Sequence, residues 1–201
     1  MANLKAEWMR RLSKEIQKCR RCGLCRGRQN PVVGEGDLDA ALMFVGEAPG
    51  RREDETGRPF VGAAGQHLDS LLHHIEMSRE DVYIGNVVKC RPPNNRRPRQ
   101  EEIKICSPHL EKQLEIIEPK IVAPMGNSSI GYFMERFGLK SAPIGIIHGR
   151  HFRVEMPWGE MILLPLYHPA AAIYNRDLDQ VMEKDFEVLG ELLRRLNPFS
   201  I

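Results

Sequence analysis

The sequence has no apolar run approaching the roughly 20 residues needed to cross a bilayer. Residues 1–11 also lack the uninterrupted apolar core of a secretory signal. Net charge is low as well, because 29 Lys and Arg residues face 27 Asp and Glu residues and leave +2. This balance excludes a histone-like polycation, so any nucleic-acid site must come from local clusters of basic residues. We expect a cytoplasmic protein with no membrane partner.

What the sequence does contain is enough material for one folded core. A single core commonly includes about 100–200 residues, so a chain of 201 residues predicts one domain over 1–201 and no second full domain. Hydrophobic residues make up 42% and charged residues 28% of the chain, which favours a packed core over disorder. A monomer is the default expectation.

The 5 cysteines indicate metal or thiolate chemistry. An odd number without an export signal argues against a disulfide framework. Cys19 and Cys22 supply two ligands from one turn, and Cys90 and Cys106 could supply two more from a loop and the following helix. Structural zinc usually takes two closely spaced pairs, whereas an iron–sulfur cluster tolerates wider spacing. Spacing alone does not decide between zinc and an iron–sulfur cluster. Because Cys25 follows Cys22 at the same spacing, spacing also does not decide which two of the first three cysteines are ligands.

Basic residues surround these cysteines. Between positions 10 and 28 there are eight Lys or Arg residues against one acid, and the Pro-rich loop 89–99 carries five cations and no anion. One interpretation is that this positive field lowers cysteine pKa values and offsets the negative charge of several thiolates gathered on a metal centre. A second is that the loops lie on phosphates, and a third is a solvated loop with incidental charge.

The apolar pattern predicts alternating helices and strands. Leu4, Trp8, Leu12 and Ile16 predict one buried stripe on the first helix. We expect one helix in 100–117 to restart at Ser107-Pro108, where Ser suits the N-cap and Pro the first turn. The predicted helices cover 3–18, 64–75, part of 100–117, 128–137 and 178–196, and the predicted strands cover 41–45, 82–88, 121–125, 152–156 and 161–166.

This alternation is typical of an α/β fold layered around a mostly parallel sheet. In such sheets the ligand crevice lies beyond the carboxyl ends of the strands. Three predicted strands end in polar or glycine-rich segments, which are 46–50, Asn86 onward, and His168-Pro169. We therefore expect a ligand site where these three segments meet.

Four segments together resemble the family 4 uracil-DNA glycosylases, the iron–sulfur branch found in thermophilic bacteria and archaea. They are GEAPG at 46–50, TGRPFVGAAG at 56–65, VYIGNVVKCRPPNNR at 82–96 and YHPAA at 167–171. The resemblance covers most of the chain, from Cys19 to the His168-Pro169 turn. It implies the fold of that superfamily, a three-layer α/β/α sandwich around a mostly parallel central sheet.

The resemblance also implies a cofactor and a pocket. It assigns one structural [4Fe-4S] cluster to Cys19, Cys22, Cys90 and Cys106, in loops near 19–25 and 90–106, and leaves Cys25 as a bystander. The uracil pocket that it implies is formed by Gly46, Ala48, Glu53, Phe60, Asn86 and His168.

These residue types suit the excision of a flipped base. Phe60 restores stacking, and Asn86 accepts from uracil N3–H while donating to O4, a pattern that cytosine reverses. His168 donates to O2 as negative charge develops on the departing base. Glu47 is the candidate for holding the attacking water, with Glu53 as second choice. The resemblance also puts Glu53 near C5 of the uracil ring, where a side chain is needed to exclude the methyl group of thymine.

The expected reaction is monofunctional hydrolysis of the N-glycosidic bond, without a covalent lysine intermediate, on single- and double-stranded DNA. Ile173 or Tyr174 resembles the wedge that fills the gap left by the flipped base. Arg91, Arg96 and Arg97 are expected to contact phosphates. A sliding clamp is a further expected partner.

Two alternatives use the same residues without glycosylase activity. One is an iron–sulfur or zinc DNA-binding module. The other is a nuclease accessory domain, which would need a carboxylate cluster for a divalent metal. The acidic residues at 37–39 and 53–55 are too loosely grouped to favour it.

Overall fold

The computed structural model describes residues 2–196, and its centre is a six-stranded sheet. Along the chain the strands are β1 Glu35–Gly36, β2 Leu42–Gly46, β3 Tyr83–Asn86, β4 Ile121–Pro124, β5 Phe152–Met156 and β6 Gly159–Leu163. Their spatial order is β1-β3-β2-β4-β6-β5. The four inner strands are parallel, and each edge strand is antiparallel to its neighbour.

Helices cover both faces of this sheet. They are α1 Ala2–Lys18, α2 Arg51–Thr56, α3 Ala63–His74, α4 Gln100–Ile117, α5 Asn127–Arg136, α6 Ile144–Ile147, α7 Ala170–Tyr174 and α8 Leu178–Leu196. One buried cluster joins α1, α4 and α5 to one face, and a second joins α3 and α8 to the other. The predicted three-layer α/β/α sandwich around a mostly parallel sheet is therefore confirmed.

The pleat of β2 explains the two cores. Leu42 and Phe44 point into the layer formed by α3 and α8, whereas Met43 and Val45 point into the layer formed by α1, α4 and α5. All four side chains are fully buried. Successive side chains of a strand alternate between faces, so a strand covered on both sides is apolar at every position.

The predicted stripe on α1 is partly wrong. Leu12 and Ile16 are buried as expected, but Leu4 and Trp8 are 52% and 49% exposed, and Met9 is buried instead. A strict four-residue repeat drifts by about 40° per turn around an α-helix. Its first members therefore leave the face that packs against the body of the protein.

The predicted restart at Ser107-Pro108 is wrong as well, because α4 continues through Pro108. Proline lacks the N–H that would bond to the carbonyl four residues earlier. The Ser107 hydroxyl donates to the Lys104 carbonyl oxygen at 3.5 Å instead. This contact partly replaces the missing donor, and the buried face of α4 on both sides of Pro108 keeps the helix one element.

Three chain segments meet at the carboxyl edge of the parallel strands. β2 and β3 end side by side, with Gly46 opposite Asn86 in the parallel register. Beyond β6, Leu166 forms a parallel bridge with Met125, which brings the following residues to the same edge. The structure thus gathers the strand ends that the sequence singled out. No helix within residues 2–196 has the length and apolar character to span a membrane.

Candidate active site

A cleft of about 360 Å³ opens at this edge of the sheet. Its lining includes every residue predicted for the pocket except Gly46, together with Arg96 from the basic loop. The lining residues are Glu47, Ala48, Pro49, Gly50, Glu53, Phe60, Ala64, Asn86, Pro92, Asn95, Arg96, His168 and Ala170. Residues far apart in the sequence therefore line one cavity.

Gly46 lies beneath two of these side chains. A methyl group at its Cα would lie 2.4 Å from Asn86 Oδ1 and 2.8 Å from the Phe60 ring. Both distances are shorter than real contacts allow, so glycine is needed for Asn86 and Phe60 to occupy these positions. Gly46 does not line the cleft itself, but its lack of a side chain leaves room for the two residues that do.

The backbone around Asn86 is held by three hydrogen bonds. Val87 N–H donates to the Gly46 carbonyl oxygen at 2.9 Å, and Val88 N–H donates to that of Glu47 at 3.1 Å. The Asn86 carbonyl oxygen accepts from Lys89 Nζ at 2.8 Å. Asn86 itself is only 2% exposed. Its carboxamide is thus presented to the cleft by a rigid strand end.

The rings of Phe60 and His168 form one wall of the cleft. Their centroids are 5.5 Å apart and their planes differ by 27°. Phe60 is buried, and its backbone has a φ of 51°, in the left-handed region that bulky residues rarely adopt. The surrounding structure must therefore stabilise this conformation.

His168 is a neutral hydrogen-bond donor. Burial lowers its pKa to about 4, against an opposing effect of the Glu53 carboxylate. Ala170 N–H donates to His168 Nδ1 at 3.1 Å. Since a neutral imidazole carries one proton, that proton lies on Nε2. The ring can therefore donate from Nε2 without carrying a charge.

We expect His168 to remain neutral, with its proton on Nε2, from pH 8 down to about pH 5. Long-range ¹H–¹⁵N NMR spectra distinguish the two tautomers and the cation, and a His168→Gln variant assigns the signal. Because only the unfolded chain binds this proton between about pH 6.5 and pH 4, the free energy of unfolding falls as the pH drops through that window. A midpoint near pH 6.5 would contradict the half-buried, neutral ring.

The two candidate carboxylates occupy different environments. Glu53 lies in the first turn of α2, and its Oε1 accepts from the N–H groups of Val61 and Gly62, both at 2.9 Å. Glu47 directly follows β2, and its partly exposed side chain lines the cleft. One oxygen of Glu53 is thus committed to the backbone of the loop after Phe60.

All five cysteines line a second, smaller pocket, with Arg28, Lys89 and His109 among their neighbours. Arg28 Nη1 donates to Cys90 Sγ at 2.9 Å, and Lys89 N–H donates to Cys106 Sγ at 3.2 Å. Burial raises the pKa of Cys90 to about 11, which Arg28 partly offsets. Within residues 2–196, no group of three or more His, Cys, Asp or Glu side chains is arranged to hold a metal ion.

Sequence reasoning missed a buried polar chain that joins the two pockets. Lys89 is fully buried, and its ammonium donates to the Asn86 carbonyl oxygen and to Gln113 Oε1. Gln113 Nε2 in turn donates to Val33 O at 2.8 Å and to Tyr83 Oη at 2.9 Å. Burial lowers the pKa of Lys89 to about 8. In the sequence, Lys89 is one cation of a basic loop, and nothing there signals its burial.

The predicted DNA-contacting residues lie in two places. Ile173 and Tyr174 end the short helix α7, and they are 52% and 89% exposed. Arg97 is also exposed. Arg91 Nε donates to Asn95 Oδ1 at 2.7 Å.

Arg96 differs from the other basic residues of its loop. Its two Nη atoms donate to the two carboxylate oxygens of Glu102, at 2.8 and 2.7 Å. This paired geometry is typical of a guanidinium that positions a loop. Arg96 therefore connects the basic loop to the start of α4 while also lining the cleft.

Comparisons with known proteins identify the family of this chain. A family model described as the uracil DNA glycosylase superfamily matches residues 33–196. The chain is 44% identical to a type-4 uracil-DNA glycosylase of Saccharolobus solfataricus, covering 90% of this chain and 85% of the relative. It is also 44% identical to one of Archaeoglobus fulgidus, covering 92% and 93%. For one of Thermotoga maritima the identity is 41%, covering 94% and 96%.

The resemblance drawn from the four motifs is thereby confirmed over nearly the whole chain. This protein belongs to the uracil-DNA glycosylase superfamily, with its similarity extending along the length of the type-4 members.

Proposed function

We propose that this protein excises uracil from DNA by hydrolysing its N-glycosidic bond, which begins base-excision repair. The observation that carries the proposal is the cleft in which Phe60, Asn86 and His168 meet, in a chain of this superfamily. A base inside a duplex cannot be reached in place, so the nucleotide is flipped into the cleft at a cost of a few kcal/mol.

Selection of uracil rests on Asn86. Its carboxamide oxygen accepts from N3–H and its NH₂ donates to O4, while cytosine presents the opposite pattern. Because Asn86 is only 2% exposed at a strand end, water has little access to its carboxamide when the wrong base enters. Unpaired buried polar groups then penalise cytosine.

Phe60 and Glu53 supply the rest of the fit. The Phe60 ring stacks on the base, which is worth about 1–3 kcal/mol but discriminates little between bases. Glu53 lines the same cleft, and we assign it to the wall near C5 that excludes the thymine methyl group. Its two backbone hydrogen bonds support this role because they keep the carboxylate in place.

Bond cleavage leaves negative charge on the base, and His168 stabilises it. The neutral ring donates from Nε2 to uracil O2, and this bond strengthens as charge develops in the transition state. Glu47 holds the water that attacks the sugar cation. Glu53 is less suited to that task, since its Oε1 already accepts two N–H groups.

DNA contacts surround the cleft. We assign the wedge that enters the duplex to the exposed Ile173 and Tyr174, and phosphate contacts to Arg91 and Arg97. Arg96 is proposed to contribute its charge from a fixed position beside Glu102. The protein is proposed to act as a single-domain monomer on single- and double-stranded DNA, and contact with a sliding clamp stays a prediction.

We further propose that Cys19, Cys22, Cys90 and Cys106 hold one [4Fe-4S] cluster. The thiols do not converge on a single metal ion, but their chemistry supports the proposal, because all four line one pocket that also receives Arg28 and Lys89. The N–H groups directed at Cys90 and Cys106 are of the kind that stabilise cluster thiolates. When bound, the cluster would have a structural role, holding the 19–25 and 90–106 loops at fixed spacing beside the uracil pocket.

Replacing Cys22 by alanine is expected to remove the cluster and to lower the midpoint of thermal unfolding, because one proposed ligand is lost. The matched control is Cys25→Ala, since Cys25 lines the same pocket but is not a proposed ligand. Iron content per chain and visible absorption measure the outcome. If Cys25→Ala loses iron and Cys22→Ala keeps it, Cys25 is the ligand and Cys22 is not. A wild-type protein that is colourless and contains zinc would reject the iron–sulfur cluster.

The function is tested with oligonucleotides that carry one uracil, single-stranded or paired, without added divalent metal. We expect free uracil in the supernatant and strand scission at the abasic site after alkali, and no release from matched thymine oligonucleotides. Magnesium-dependent nicking elsewhere would indicate a nuclease. Binding without uracil release would indicate a DNA-binding module.

A further inference from the structure

The stacking residue Phe60 has a backbone conformation that it would not adopt alone. Its φ of 51° lies in the left-handed region, which costs a bulky residue free energy. Its carbonyl also lies against Gly65 so closely that a methyl group there would be 1.6 Å from the oxygen. Something must hold this carbonyl in place, because the position of the ring depends on it.

Arg79 makes that contact from the other side of the loop. Its Nη1 donates to Phe60 O at 3.1 Å, and its Nη2 donates to Pro59 O at 2.7 Å. The same two nitrogens donate to Asp69 Oδ1 at 2.9 Å and to Glu35 Oε1 at 2.7 Å. All four N–H bonds of the two Nη atoms are therefore used, two on carboxylates and two on carbonyls.

Glu53 completes the arrangement from inside the cleft. Its Oε1 accepts from Val61 N–H at 2.9 Å, while Arg79 donates to the oxygen of the preceding residue, Phe60. The peptide unit between Phe60 and Val61 is thus held at its oxygen by a cation and at its N–H by an anion. Because Arg79 also donates to the Pro59 carbonyl oxygen, both peptide units that flank Phe60 are held, and with them the backbone angles that direct its ring.

We propose that Arg79 is a positioning residue that holds Phe60 in its strained conformation and thereby keeps the pocket shaped for a flat base. This inference rests on the proposed function and deepens it, because it identifies what keeps the stacking surface in place. Arg79 itself lies outside the lining of the cleft and acts only through the Pro59 and Phe60 carbonyls.

Arginine is required here because of its geometry. A guanidinium directs its donors along fixed directions in one plane, whereas a lysine ammonium presents three donors from one point. Lysine at position 79 would keep the charge opposite Glu35 and Asp69, but it could not reach both carbonyls and both carboxylates. Charge alone therefore does not replace the contact.

The chain offers a matched control in Arg58. Its Nε and Nη2 donate to the same Glu35 carboxylate, at 2.8 and 3.2 Å, and its side chain is largely exposed. Arg58→Gln therefore removes a cation from Glu35 without removing the donors to Pro59 and Phe60. The test compares Arg79→Gln, Arg79→Lys and Arg58→Gln with the wild type in the complete protein.

For each variant we measure the dissociation constant of free uracil, the dissociation constant of DNA containing an abasic site, and the midpoint of thermal unfolding. We expect Arg79→Gln to raise the dissociation constant of free uracil about 10-fold, since part of the stacking energy is lost. Arg79→Lys should lie between it and the wild type. Affinity for abasic-site DNA should stay unchanged, because no base is stacked there, and Arg58→Gln should bind uracil as the wild type does.

Each result separates this inference from the proposed function. Wild-type uracil affinity in Arg79→Lys or Arg79→Gln would overturn the role of Arg79 and leave the glycosylase proposal intact. Equal loss of uracil and abasic-site affinity would also overturn it, because a general structural effect would be the cause. If Arg79→Gln fails to fold, Arg79→Lys carries the test. A wild type that neither binds nor releases uracil would instead reject the proposed function.

Discussion

Replacing Asn86 by aspartate is expected to lower the rate of uracil release on the order of 10³-fold. A carboxylate only accepts hydrogen bonds, so it faces the O4 acceptor without a donor, in a place where Asn86 is 2% exposed. A protonated carboxyl would instead match cytosine, donating to N3 and accepting from the amino group. The ratio of uracil to cytosine excision should therefore fall, as measured by single-turnover assays on matched oligonucleotides.

The control for this substitution is Asn95→Asp. Asn95 lines the same cleft, but it is exposed and accepts from Arg91 Nε. The two variants add the same charge to one cavity, so any general effect of negative charge on DNA binding appears in both. Wild-type rates and selectivity in Asn86→Asp would show that another group recognises the base.

Replacing His168 by alanine is expected to lower the rate constant for uracil release by about 10²–10³-fold, the usual cost of losing one donor to a developing anion. Binding of uracil-containing DNA should change little, because the bond from Nε2 matters most in the transition state. A single-turnover assay at saturating enzyme measures the rate, and a titration with DNA measures the binding.

Leaving-group chemistry makes this prediction specific. 5-Fluorouracil forms a more stable anion than uracil, so it needs less help from a donor, and the loss in His168→Ala should be smaller with it. His151→Ala is the control, since His151 is exposed and outside the cleft. Equal losses with both bases, or a loss of binding with an unchanged rate, would assign His168 to base binding instead.

Much of the fold was predictable because burial leaves a pattern in the sequence. The predicted strand 41–45 is β2 within one residue, and the predicted helices 3–18, 128–137 and 178–196 are α1, α5 and α8 within one residue at each end. Strands buried on both faces are continuous apolar runs, and helices with one buried face have a 3.6-residue period. Both patterns are local in the sequence, so they can be recognised without knowing which elements pack against each other.

Elements without such a pattern were missed. β1 has only two residues, Glu35 and Gly36, and it exists because β3 offers an open edge. The short helix α7 follows Pro169 in a segment that sequence reasoning treated as a wedge-bearing loop. Pro108 was expected to begin a helix because local preference favours it there, yet packing along α4 outweighs the lost hydrogen bond. For β1 the partner that decided the outcome lies much further along the chain, where Glu35 pairs with Ile84.

The candidate site divides in the same way. Asn86 begins the polar end of the predicted strand 82–88, and His168 follows the predicted strand 161–166, so the rule that ligands bind beyond parallel strand ends pointed to both of them. The motifs added Phe60 and the acidic residues. Lys89 and Arg79 were not found, because a cation in a polar segment has the same local signature whether it is solvated or buried.

The order of apolar and polar residues along the chain was sufficient for the layered fold, and its motifs were sufficient for the family, because both depend on which residues are neighbours in sequence. The protonation of His168, the conformation of Phe60, the pairing of Arg96 and the burial of Lys89 depend on groups that only folding brings together. Desolvation and hydrogen bonding act through space, so these properties came from the three-dimensional structure alone.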